Sequence, residues 1–130
     1  LKAKNIQVQL TLEKELLACA NGSEIHQVLI NLINNAIHAL ANCGSLLRHL
    51  RIEASKGSDT IRVSISDNGP GVAPQFIPQL FELLSTTKQS GMGLGLWLCN
   101  HIITRYNGKI QYEKSKDNGA AFIFELPRAS

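Results

Sequence analysis

Apolar and polar residues alternate from Asn5 to Leu12, with Ile6, Val8, Leu10 and Leu12 on one side and Gln7, Gln9 and Thr11 on the other. A period of two is that of a half-buried strand, here expected at an edge or outer position of a sheet. Glu15 to Ala20 is a short apolar stretch; Asn21-Gly22 then turns the chain, and Ser23 is the expected N-cap of a helix running to about Asn42. On the helical period, Ile25, Val28, Leu29, Leu32, Ile33, Ala36, Ile37 and Leu40 cover more than half the circumference, while Glu24, Gln27, Asn31, Asn34, Asn35, His38 and Asn42 gather in one narrow stripe. Solvated stripes are ordinarily built of Lys and Glu, whereas Asn is a poor helix-interior residue because its amide competes for the backbone. Four Asn on one stripe therefore need a reason: contacts to a ligand, or simply exposure to water and capping of neighbouring loops.

Leu50, Ile52 and Ala54 alternate with Arg51, Glu53 and Ser55; after a turn at Gly57-Ser58-Asp59, Ile61, Val63 and Ile65 alternate with Arg62, Ser64 and Ser66, which predicts a β-hairpin. Its second strand runs into Asp67-Asn68-Gly69-Pro70-Gly71, a stretch with little side-chain bulk that a ligand could approach closely. Pro74 to Leu84 predicts a short helix or two turns, and Ser85 to Ser90 a polar, mobile loop ending in Gly91-Met92-Gly93-Leu94-Gly95. Leu94, Leu98 and Ile102, with Trp97 and Ile103, mark a second amphipathic helix to Tyr106, stopped by Asn107-Gly108 as a C-cap. Ile110 and Tyr112 lie on a further strand, turned at Lys116-Asp117-Asn118-Gly119 into a last one where Phe122, Phe124 and Leu126 alternate with Ile123 and Glu125. Strands and helices come in groups, so the expected fold is α+β: one mixed, mostly antiparallel sheet with helices on one face, a two-layer sandwich.

Length and charge narrow this picture. A chain of 130 residues, 44% hydrophobic, suits one domain, and the surplus of 13 Lys+Arg over 10 Asp+Glu is too slight to mark a nucleic-acid or membrane-surface protein. No apolar run approaches the roughly 20 residues of a membrane helix. The chain opens on Leu1, so a longer parent chain is expected. Cys19, Cys43 and Cys99 are too few and too widely spaced for structural zinc or a disulfide framework, and thiols in a reducing compartment are expected.

The run Gly91 to Gly95 is GxGxG rather than the dinucleotide fingerprint GxGxxG, and no strand leads into it. Glycines that open a helix nonetheless expose backbone N–H groups at its positive end, which suits phosphate, and Lys88 adds a charge just before. More specific is the order of features. The stretch Gln27 to Ala36 carries Asn31 and Asn35 one turn apart; Asp67-Asn68-Gly69-Pro70-Gly71 follows, then Phe81 to Thr86-Thr87-Lys88, then Gly91-Met92-Gly93-Leu94-Gly95-Leu96. In that order these segments resemble the N, G1, F and G2 boxes of the catalytic and ATP-binding domain of sensor histidine kinases, within the wider superfamily of gyrase, Hsp90, histidine kinase and MutL ATPases. The resemblance spans residues 1–130 and implies the Bergerat-type ATP-binding fold.

The resemblance implies that Asn35 ligates Mg²⁺, which bridges the ATP phosphates, in keeping with the preference of that ion for oxygen ligands and retained water. It places Asn31 on phosphate or metal-bound water, and His38 where relatives often carry a basic residue touching phosphate; Asn34, at the edge of the stripe, is assigned a structural part. Asp67 would accept from the adenine amino group, a charge-assisted contact, at the base end of the site and away from the phosphates, where a carboxylate would repel them. Gly69 and Gly71 would pass close to the base. Thr87 and Lys88 would close over the triphosphate with a short lid hinged on Gly91, Gly93 and Gly95, and Leu96 completes the nucleotide-contacting set. Asn31, Asn35 and Lys88 are the expected catalytic residues. Where hydrolysing relatives carry a glutamate base, Asn31 cannot take a proton, so slow hydrolysis and phosphoryl transfer to a histidine are expected, resting on positioning and charge neutralisation.

Two departures from the family pattern bear on affinity. Ala39 lacks an aromatic that stacks on adenine in some relatives, and Ala120 stands where many carry Ser or Thr. His26, His38, His49 and His101 lie outside any phosphoacceptor pattern, so the acceptor is expected on a helical domain beyond this sequence, which also supplies the dimer. The expected partners are that domain and, through it, a response regulator, with no nucleic acid and no direct membrane contact; the domain itself is expected to be monomeric and cytoplasmic, in a parent chain that can be membrane-anchored. Two other readings stay open: a serine kinase or ATPase of the same superfamily, and a nucleotide-binding regulatory module without catalysis.

Overall fold

In a computed structural model, residues 6–12, 18, 20–41, 48–82, 93–115 and 119–128 are described. Strand β1 (Ile6–Leu12) is followed by helix α1 (Gly22–Ala41), the hairpin β2 (Arg48–Lys56) and β3 (Thr60–Asp67), a 3₁₀ turn at Pro74–Gln79, helix α2 (Gly93–Arg105), and the hairpin β4 (Lys109–Lys114) and β5 (Ala120–Pro127). The five strands form one sheet in the order β1-β2-β3-β5-β4. All neighbours are antiparallel except β1 and β2, which run parallel with α1 as the crossover between them. The fold is the expected α+β sandwich with a mixed sheet.

Between sheet and helices lies a core of Val28, Leu32, Ala36 and Leu40 from α1, Leu96, Cys99, Ile102 and Ile103 from α2, and Leu50, Ile65, Phe122, Phe124 and Leu126 from the strands. The α1 contribution recurs every four residues, the spacing at which side chains stack on one helix face. Phe122 anchors the aromatic layer, with Phe81 edge-on at 6.1 Å and Tyr112 tilted at 5.5 Å between ring centroids. Among the described residues no helix is long and apolar enough to cross a membrane.

Four local expectations are corrected. The N-cap of α1 is Asn21, not Ser23: Asn21 Oδ1 accepts from the backbone N–H groups of Ser23 (2.9 Å) and Glu24 (3.3 Å), and the Ser23 hydroxyl donates to the same oxygen. One carbonyl-type acceptor thus serves two of the orphaned first-turn donors. Strand β1 is at the edge as expected but is not half-buried; Val8, Leu10 and Leu12 are 45%, 61% and 60% exposed, because α1 packs over β2 and β3. Trp97 is not a core residue of α2: the buried face is Leu96, Cys99, Ile102 and Ile103, and the half-buried Trp97 stacks on His101 at 5.2 Å. In β5, Ile123 is buried along with Phe122 and Phe124. The burial of β5 is therefore continuous from Ala120 to Phe124 and does not alternate.

The end of α2 is as expected from Asn107-Gly108, with a division of labour between them. Asn107 takes the left-handed conformation (φ 64°), and the N–H groups of Gly108 and Asn107 close on the carbonyls of Ile103 (3.0 Å) and Thr104 (3.0 Å), a Schellman motif. Gly108 is required by packing instead, since a Cβ there would lie 2.1 Å from the Glu125 carbonyl oxygen. The two helices are clasped at the surface by Glu24, which accepts from Arg105 and from the Tyr106 hydroxyl. The hydroxyl, more than the guanidinium, holds the Glu24 carboxyl below its ordinary range.

Candidate active site

Strand β3 ends on Asp67, opposite Leu50 of β2, with its side chain only 5% exposed. Its Oδ1 accepts from the backbone N–H of Gly69 (2.8 Å) and, more weakly, of Ala120 (3.4 Å). Burial pushes this carboxyl above its ordinary value of 3.8, and the two N–H groups hold the rise in check. Ala120 has no side-chain hydroxyl and reaches Asp67 through its main chain.

The turn between β4 and β5 is fastened to the same residue. The Ser115 hydroxyl donates to the Asp67 carbonyl (2.8 Å) and accepts from the Gly119 N–H (3.0 Å), while the Ser115 N–H donates to the Gly119 carbonyl (3.0 Å). A Cβ on Gly119 would sit 2.1 Å from the Asp67 carbonyl oxygen and 2.6 Å from Oδ1, so only glycine fits. Neither Ser115 nor Gly119 is among the residues picked out from the sequence, where Gly119 is merely the end of a hairpin turn. Its second duty exists only once that turn has folded onto β3.

The segment after Asp67 turns back against α1. Gly71 has φ 77°, a left-handed conformation for which glycine is suited, and a Cβ on Gly69 would lie 3.5 Å from Ala39 and 3.1 Å from Asp67 Oδ1. Ala39 lies four residues after Asn35, so this contact sets the segment that follows Asp67 one helical turn from Asn35. Asn31 and Asn35 are half-buried, whereas Asn34 and His38 are exposed. Among the described residues the buried Asn35 Nδ2 has no hydrogen-bond partner. Asn31 Oδ1 accepts from Gln27 Nε2 (3.0 Å), and the Asn31 side chain also hydrogen-bonds to the sulfur of Cys99 on α2. Burial pushes the Cys99 thiol up to about 11, the Asn31 contact opposing it, so the sulfur stays protonated near neutrality.

Gly93 and Gly95 open α2. A Cβ on Gly95 would meet nothing within 4 Å, so the protein's own packing does not demand a glycine there. The Leu96 side chain is fully buried in the core, which leaves only its main chain to face a ligand. Thr87, Lys88 and Gly91, with the mobile loop expected around them, lie outside the described residues, as do Asn5, Asn42, Cys19, Cys43, the stretch 13–17 and the turn residues 116–118. Phe81, edge-on to Phe122, pins the chain near the entry to that loop.

The sequence pattern of the family described as "Histidine kinase-, DNA gyrase B-, and HSP90-like ATPase" matches residues 20–130. The chain belongs to this family. Within these ATPases it is similar to the sensor protein FixL of Bradyrhizobium diazoefficiens, 37% identical over 98% of this chain and 25% of that protein. It is also similar to the sensor histidine kinase ZraS of Salmonella typhimurium, 34% identical over 97% of this chain and 27% of that protein. The chain thus spans about a quarter of the length of these curated relatives. Among solved structures, the catalytic domain of the histidine kinase ThkA superimposes with a TM-score of 0.83 and 33% identity, covering 97% of this chain and 82% of that one. ThkA has also been solved in complex with a response regulator protein, TrrA. A mycobacterial sensor histidine kinase, MprB, shares the fold at a TM-score of 0.82 and 19% identity, covering 97% of this chain and 84% of that one. The fold and family expected from the four boxes are those found.

Proposed function

We propose that this chain is the catalytic and ATP-binding domain of a sensor histidine kinase, a single module over residues 1–130. It binds Mg²⁺-ATP and donates the γ-phosphoryl group to a histidine on a separate helical phosphoacceptor domain, which in turn serves a response regulator. The observation that carries the proposal is the junction of Gly69 with Ala39, which sets the buried acceptor Asp67 close to an α1 stripe that holds an unpartnered buried amide on Asn35. A buried amide group without a partner costs on the order of 1–3 kcal/mol. Phosphate oxygens accepting from its nitrogen, or a cation taking its oxygen after a half-turn of the amide, offset that cost.

The residues present fit Mg²⁺, a hard cation satisfied by one neutral amide oxygen plus phosphate oxygens and water. When bound, it neutralises phosphate charge. Asn35 is the proposed ligand, and Asn31 and His38 the proposed phosphate-side contacts on α1. Asp67 accepts from the adenine amino group through Oδ2, since Oδ1 already holds the Gly69 and Ala120 N–H groups. Gly69 and Gly71 keep the backbone beside the base free of bulk. First-turn N–H groups of α2, at Gly93, Gly95 and Leu96, supply donors to the phosphates, and Thr87, Lys88 and Gly91 close over them.

In the transfer, a neutral imidazole nitrogen attacks the γ-phosphorus, the bond to the β–γ bridging oxygen breaks, and ADP leaves. Asn31 offers no base to activate water, so the chain's part is to hold the donor in line and exclude hydrolysis. A supplied acceptor domain incubated with this chain and γ-labelled ATP is expected to take up label that is lost in acid and kept in alkali, as a phosphohistidine requires. Release of inorganic phosphate without labelling, or an acid-stable phosphate, would overturn the proposal in favour of an ATPase or a serine kinase.

A further inference from the structure

We propose that Gln27 is a positioning residue that fixes the orientation of the Asn31 amide, so that Asn31 meets the nucleotide as a donor to phosphate and leaves Asn35 as the one amide ligand for the cation. The inference rests on the reading of the site given above and goes beyond it in dividing the labour of the two amides.

Gln27 and Asn31 lie one turn apart on the same face of α1, and the Gln27 amide nitrogen donates to Asn31 Oδ1 at 3.0 Å. The Asn31 side chain is held from a second side by the buried Cys99, whose Sγ also sits 3.8 Å from the Val28 carbonyl, across the α1–α2 contact. An amide whose oxygen already accepts from a fixed neighbour one helical turn away has a defined sense, which a lone surface Asn lacks. The consequence is electrostatic. An oxygen already carrying the positive end of an N–H dipole is a poor ligand for a divalent cation, while the amide nitrogen retains its second hydrogen for a phosphate oxygen. Asn35, by contrast, has a buried nitrogen with no partner, so nothing on that atom fixes the sense of its amide, and it can turn its oxygen to a cation.

Gln27→Met is the informative variant, since it keeps the length and helix propensity of glutamine and removes only the donor. Calorimetric titrations of the 130-residue chain with adenosine, and with a non-hydrolysable ATP analogue plus Mg²⁺, are compared for wild type, Gln27→Met and Gln27→His. At pH 8 the neutral imidazole of Gln27→His restores an N–H donor. The expected result is a roughly tenfold loss of affinity for the triphosphate in Gln27→Met, about one lost hydrogen bond to a charged group. Adenosine binding and melting temperature are expected to stay unchanged, with at least partial recovery in Gln27→His. Without ligand, the Asn31 side-chain NH₂ resonances of Gln27→Met are expected to shift and to exchange faster with solvent. Equal triphosphate-to-adenosine affinity ratios in wild type and Gln27→Met, or parallel losses for both ligands, would overturn the role of Gln27 while the site itself stands. Failure of wild type to bind the analogue would overturn the site and this inference together.

Discussion

Replacing Gly119 with alanine is expected to abolish measurable nucleotide binding and to lower the stability of the domain by about 1–3 kcal/mol, the usual range for forcing atoms into a packed interior. The added carbon would lie 2.1 Å from the Asp67 carbonyl oxygen and 2.6 Å from its carboxylate, and neither atom can yield alone. The carbonyl belongs to the last residue of β3, and Ser115 donates to it, so relief requires the β4–β5 turn to lift away from the sheet. Lifting it removes the Ala120 N–H from Asp67 and frees the carboxylate to leave its place. Thermal melting and titration with an ATP analogue check both parts. A folded Gly119→Ala protein with wild-type affinity would show that the turn does not position Asp67. Ser115→Ala, which removes the hydroxyl without adding bulk, is expected to cause a smaller loss in the same direction.

The second large effect is expected from Asp67→Asn. The new amide would keep its oxygen toward the Gly69 and Ala120 N–H groups, which places its NH₂ where Oδ2 stood. Facing the amino group of adenine, a donor would meet a donor. Affinity for an ATP analogue is expected to fall about 100-fold, as for a lost charged hydrogen bond together with an unsatisfied buried one, while a GTP analogue, with an oxygen at that ring position, loses less. Stability is expected to move the other way. Because burial raises Asp67 above 3.8, the folded state holds its proton more tightly than the unfolded chain. That contribution is fully present below the ordinary value and is lost as pH rises through the raised one, so at neutral pH the domain carries a buried ionised carboxylate. Removing the charge is expected to raise the melting temperature by about 4 °C per kcal/mol recovered, with the gain vanishing in acid. A melting temperature that falls at pH 7, or unchanged selectivity between the two analogues, would contradict this account.

Much of the site was legible because its chemistry is written in local patterns. The amide stripe on α1 stood out against the Lys and Glu expected of a solvated face, and a strand running into a glycine-rich turn located Asp67 at its end. The helix–sheet layering followed from hydrophobic period, the turn residues between elements and the grouping of strands and helices. What escaped depends on which distant segments meet. Gly119 and Ser115 look like ordinary hairpin residues until the turn lies on Asp67, a contact across more than 45 positions. The sequence groups Trp97 with the apolar residues that mark α2, but the phase of the helix is set by Leu96, Cys99 and Ile103 against α1 and the sheet, and Trp97 falls outside it. Likewise the alternation of β1 suggested a buried face, and only the placement of α1 over β2 and β3 decides that Val8, Leu10 and Leu12 stay uncovered.

The central claim is that α1 and the Asp67 segment form a Mg²⁺-dependent ATP site whose single protein ligand to the cation is Asn35. It is tested most directly by calorimetric titration of the 130-residue chain with a non-hydrolysable ATP analogue, in Mg²⁺ and in chelator, for wild type and Asn35→Ala. Wild type is expected to bind at least tenfold more tightly in Mg²⁺, and Asn35→Ala to bind equally weakly in both conditions while keeping its affinity for adenosine. No binding by folded wild type, or a Mg²⁺ effect of the same size in Asn35→Ala, would contradict the account.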